Sequence, residues 1–76
     1  MTMSLKVSMR GAVGALTRVL GVVERRGFEA VSVSAIAGGG GRRIDLYMTV
    51  RGERPFEQLV RQISKSCDVL DLVVLR

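Results

Sequence analysis

Residues 10–16, Arg10-Gly-Ala-Val-Gly-Ala-Leu16, are the part of this chain best suited to bind a small charged molecule. Gly11 and Gly14 place flexible backbone directly ahead of a helical pattern. At a helix start the first amide N–H groups lack intrahelical partners and the helix dipole is positive, which favours a carboxylate or another anion. A free amino acid matches such a place. Its carboxylate would meet the amides, and an apolar side chain would meet Val13 and Leu16, with glycine allowing close backbone approach. The same glycines also suit a tight strand-to-helix turn with no ligand, so both roles stand at this point.

Little else in the chain has chemistry to offer. There is no histidine, so general acid–base catalysis lacks its usual residue. Asp45, Glu53, Glu57, Asp68 and Asp71 are the carboxylate candidates, and each reads most simply as a solvated surface charge. Cys67 has no histidine to activate it and reads as a small core or boundary residue. No cofactor is implied, and without a Cys-x-x-Cys loop no metal site is either. The four glycines Gly38–Gly41 precede Arg42-Arg43 and a strand, where a phosphate loop needs Lys-Ser/Thr and a helix; they read as a hairpin turn. These absences point to a binding or regulatory module and not to an enzyme.

The elements that position the loop follow from periodicity. Leu5, Val7 and Met9 alternate with Lys6, Ser8 and Arg10, as in a strand with one buried face. Val13, Leu16, Val19, Leu20 and Val23 form a helical stripe, with Arg25 and Arg26 in the last turn and Gly27 as the stop. Phe28 to Ala37 is a second strand, with Val31, Val33 and Ala35 on one face. Ile44, Leu46, Met48 and Val50 alternate through a third. Pro55 opens a second helix carrying Phe56, Leu59, Val60 and Ile63 and ending near Ser66. Residues 68–75 form a last strand, apolar enough to expect cover on both sides.

The order β-α-β-β-α-β, with right-handed crossovers, predicts an α+β, ferredoxin-like fold: a four-stranded antiparallel sheet with both helices on one face. The 76 residues make one domain, which at this size is marginal alone and suited to association. The uncovered sheet face and the edge strand at 28–37 are the expected contact surfaces, giving a homodimer or higher oligomer. No run of 18 apolar residues or secretion signal is present, and one cysteine fits a cytoplasmic setting, with no membrane partner. The net charge of +5 is spread over Arg10, Arg18, Arg25, Arg26, Arg42, Arg43, Arg51, Arg54, Arg61 and Arg76. With Tyr47 the only aromatic on the open face of the third strand, no nucleic-acid partner is expected.

Two segments carry a family resemblance. Gly14-Ala-Leu-Thr-Arg-Val-Leu-Gly-Val-Val-Glu-Arg-Arg-Gly-Phe28 resembles the ACT domain at the start of acetolactate synthase small subunits, with their Gly-x-Leu-x-Arg-Val and Arg-Gly-Tyr/Phe. Phe56-Glu-Gln-Leu-Val-Arg-Gln-Ile-Ser-Lys-Ser-Cys-Asp-Val-Leu70 resembles that family's Leu-Glu-Gln-x-x-x-Gln-x-x-Lys-x-x-Asp-Val. The resemblance implies a single ACT domain over residues 1–76, like the short small subunits. It implies a non-catalytic regulatory subunit that binds and activates the thiamine-diphosphate-dependent large catalytic subunit of acetolactate synthase, in branched-chain amino acid synthesis. Many members transmit feedback by valine, held between the first loop of one domain and the second strand of another. Carried over, that site is Gly11, Ala12, Val13, Gly14, Ala15 and Leu16 with Glu29 and Ala30. Glu29 and Gly11 stand where valine-sensitive members carry asparagine, and Glu29 offers a carboxylate to a ligand ammonium instead. The alternative is a stand-alone ACT domain that senses an amino acid for another enzyme or a transcription factor.

Overall fold

The computed structural model describes residues 1–75; Arg76, counted above among the scattered arginines, lies outside them. The order is β1 (Thr2–Arg10), α1 (Ala15–Arg25), β2 (Glu29–Gly38), β3 (Arg43–Arg51), α2 (Phe56–Ser64) and β4 (Val69–Val74). All neighbours are antiparallel and the strands lie in the order β2-β3-β1-β4, so the expected α+β architecture forms. The glycine run makes the β2–β3 turn, with Gly39, Gly40 and Gly41 all at positive φ.

β1 and β3 pair without interruption from Thr2↔Arg51 to Arg10↔Arg43. That register puts Met3, Leu5, Val7 and Met9 beside Val50, Met48, Leu46 and Ile44 on the helix side. Ala15, Val19 and Val23 of α1 and Leu59 and Ile63 of α2 close the core from above. Period-two and period-3.6 stripes thus meet over the two central strands, where burial of aliphatic area supplies most of the stability.

Several boundaries and environments differ from the sequence reading. Val13 does not extend the stripe of α1: it is 99% exposed in the loop, and Ala15 takes the buried position, 1% exposed. Phe28 precedes β2 and is buried, its ring stacked 5.2 Å from that of Phe56. α2 stops at Ser64, short of Ser66. A register shift between Ala30 and Ser32 takes Val31 off the face shared by Val33 and Ala35. β4 is an edge strand, and its apolar side chains Leu70, Val73 and Val74 are about half exposed, not covered on both sides. An edge position leaves one flank without a neighbour, which composition cannot reveal. Cys67 is exposed, outside any core or boundary.

Candidate functional site

The loop between β1 and α1 is shaped by three backbone bonds. Gly11 N–H donates to the Arg42 carbonyl at 2.8 Å, Ala12 N–H to Arg10 at 2.9 Å and Ala15 N–H to Ala12 at 3.1 Å. Gly14 adopts φ 80° and caps α1 with no side-chain hydrogen bond, and no acidic residue lies in the first turn. Among the described residues the amides of Val13, Gly14, Leu16 and Thr17 make no backbone hydrogen bond, so they are the donors left for an anion. Gly11 has a structural duty as well: a Cβ built there would stand 2.0 Å from the Gly41 carbonyl oxygen. Leu16 is half-buried beside the loop, whereas the outward Val13 offers no pocket wall within the chain.

Arg18, one turn into α1, joins this loop to the other end of the sequence. Its Nε donates to Asp68 Oδ2 at 2.9 Å and its Nη2 contacts the same oxygen. The guanidinium passes over Gly14, since a Cβ there would lie 3.1 Å from Nη1. Asp68 is therefore not the solvated charge that its composition suggests; it is 8% exposed, and its carbonyl also accepts from Arg10 N–H at 2.8 Å. A buried carboxylate needs such a partner to offset its desolvation. The signal was present in the sequence only as two separate motif residues, Arg18 and Asp68, 50 positions apart.

The remaining site residues do not gather in one chain. Glu29 begins β2 opposite Arg51, to which it is bonded at 2.6 Å, whereas Gly11 follows Arg10 opposite Arg43. Eight steps of β3 separate these ends, roughly 26 Å at the usual rise per strand residue. Residues 11–16 and 29–30 can share a ligand only if a second copy brings its own 29–30.

The open face of the two central strands, β1 and β3, is polar. Ser4 and Thr49 share a hydroxyl hydrogen bond at 2.9 Å, and Lys6 lies 5.7 Å over the Tyr47 ring. Asp45 is half-buried, not fully solvated. Its partial burial opposes ionisation, but the Ser8 hydroxyl donates to it at 3.1 Å and Arg43 sits at 3.4 Å, with Lys6 adding attraction. The balance holds its carboxyl below the ordinary value of 3.8. The unfolded chain therefore takes up this proton first as pH falls. Asp45 adds stability above the ordinary value and loses it as pH drops through the lowered folded value. Asp45→Asn is expected to flatten the acid limb, so that the two proteins converge as pH falls through 3.8 and below it in urea unfolding at stepped pH.

Among the described residues there is no group of three or more His, Cys, Asp or Glu able to hold a metal ion, and no helix is long and apolar enough to cross a membrane.

A four-stranded antiparallel sheet, two helices on one face and a glycine loop leading into the first helix define a ferredoxin-like α+β module. A family model of the ACT domain matches residues 11–72. The chain belongs to the ACT-domain family, whose members are regulatory and non-catalytic modules that bind amino acids and oligomerise. Solved structures share the fold. The ACT domain of GTP pyrophosphokinase from Chlorobium tepidum aligns at TM-score 0.82 and 10% identity, over 97% of this chain and 96% of that one. The acetolactate synthase small subunit from Thermotoga maritima aligns at TM-score 0.82 and 20% identity, over 97% of this chain but 47% of that one. Formyltetrahydrofolate deformylase from Burkholderia mallei aligns at TM-score 0.71 and 16% identity, over 84% of this chain and 23% of that one. The chain thus spans less than half of each of the last two proteins. A comparison with curated protein sequences finds no match.

Proposed function

We propose that this ACT domain is a regulatory subunit of acetolactate synthase, cytoplasmic and non-catalytic by itself, which binds and activates the thiamine-diphosphate-dependent catalytic subunit. One observation supports this reading above the rest. The two segments that resemble the small subunits of that enzyme each contribute one partner to the Arg18–Asp68 pair. Motif residues that meet in space, one of them buried, belong to a single working corner of the fold.

The effector arrangement in this reading needs two copies. β2 is an edge strand with no charged residue from Ala30 to Gly38, and its unpaired flank is open to a second β2. Antiparallel pairing about Ser34 would set Glu29 and Ala30 of one copy against the Gly38 end of the other. That end adjoins the loop Gly11–Leu16 through the Gly38↔Arg43 and Arg10↔Arg43 pairs. An amino acid such as valine would then place its carboxylate on the Val13, Gly14, Leu16 and Thr17 amides, with Glu29 of the second copy toward its ammonium.

The test is acetolactate formation by the catalytic subunit, with and without this chain and then with added valine. The expected result is activation that valine reverses. Activation indifferent to valine would retain the subunit role and remove the effector site. No activation would overturn the reading and leave an ACT domain that senses an amino acid for another enzyme or a transcription factor.

A further inference from the structure

We infer that the outer edge of β4 docks an extended segment of a partner protein, apolar on both faces and carrying a lysine or arginine opposite Asp71. β4 is hydrogen-bonded to β1 alone and ends the sheet. Leu75 N–H donates to the Ser4 carbonyl at 2.8 Å. Antiparallel alternation from that bond turns the N–H and C=O groups of Val74 and Leu72 toward the open edge. A row of outward backbone groups is satisfied in full only by another extended chain.

The side chains describe that chain further. Val73 and Leu75 lie on the open face at 45% and 51% exposure, and Val74 on the helix face at 48%. Beside Val74 an apolar hollow of about 530 Å³ runs along α2, floored by Met3, Phe56 and Val60 with Glu57 and Arg61 at its rim. An added strand would cover both valines and set one side chain into this hollow.

Asp71 selects the occupant. It is the one ionisable residue of β4, it is exposed, and it makes no ion pair among the described residues. A second copy pairing β4 with β4 about a two-fold axis, helices on the same side, sets Asp71 opposite Asp71, Val73 or Leu75. The first opposes like charges and the other two press a carboxylate against an apolar side chain; all are unfavourable. An edge charge of this kind blocks self-pairing while leaving the strand open to a complementary partner. β2, uncharged from Ala30 to Gly38, has no such block. The inference holds whichever enzyme the domain regulates.

The probes are two valine-rich peptides of eight residues that differ only in a central lysine or glutamate. Affinity is read by titration, and the docking strand by amide hydrogen exchange of the whole chain. The lysine peptide is expected to slow exchange at Leu72 and Val74 and to bind roughly tenfold tighter than the glutamate peptide. Asp71→Lys, a surface change, is expected to reverse that order. Equal binding of both peptides, protection confined to β2, or no protection at Leu72 and Val74 would overturn the inference.

Discussion

Gly11→Ala is expected to destabilise the domain by about 3 kcal/mol, at the upper end of what forced overpacking costs. The added methyl would stand 2.0 Å from the Gly41 carbonyl oxygen and 3.1 Å from the Arg42 carbonyl carbon. Both neighbours are backbone, so no flexible side chain can swing aside. Relief would require the β2–β3 turn to move away and would break the Gly11 N–H to Arg42 bond. Gly38→Ala provides the control. Its Cβ meets nothing within 4 Å and its φ is −138°, so a change within about 0.5 kcal/mol is expected, as for an ordinary surface substitution. Paired urea unfolding curves measure both, and equal midpoints for Gly11→Ala and the unaltered protein would refute the close approach.

The second large effect is expected at Leu46→Ala. Leu46 is fully buried on β3, a central strand, flanked by Val7 on β1 and Ala35 on β2. Truncating a fully buried leucine removes its transfer free energy and leaves a cavity, at a cost of about 3 kcal/mol. A domain of this length holds roughly 4–11 kcal/mol in total, by the usual stability per residue. The variant is therefore expected to lose a large share of its stability and to recover part of it at high protein concentration, because association favours the folded form. Thermal unfolding at two concentrations measures this. Val13→Ala, at a position 99% exposed, is expected to leave the transition in place.

Much of the fold is legible from periodicity because β1, β3 and both helices each bury one regular stripe. Leu5 and Leu46 repeat every second residue, and Val19 and Val23 every fourth, as those faces demand. The two edge strands were harder. Val31 falls in an irregularity of pairing that is set by the neighbouring strand, not by its own identity. β4 reads as covered because its composition is that of a buried strand, yet burial depends on which strand lies beside it. At the candidate site, the sequence located the loop and the bend of its glycines. It could not show that Arg42 and Gly41 would occupy one side of Gly11, since that contact joins residues 30 positions apart. Asp68 reads as solvated for a similar reason: its burial depends on Arg18, 50 positions away in sequence.

The central place of β1 has a consequence for how the molecule is made. Its two neighbours are β3 and β4, and Leu5 lies opposite Val74, near the far end of the described chain. Of the four strands β1 leaves the ribosome before the others, and it waits for its second flank until β4 has followed. The β2–β3 hairpin can close early across its short glycine turn, but the core under both helices is complete only when residue 74 has emerged. Pairings this remote in sequence fold slowly and leave apolar strands exposed meanwhile. During translation the domain is thus expected to remain open to proteases, and to close in one late step that a truncation before β4 abolishes.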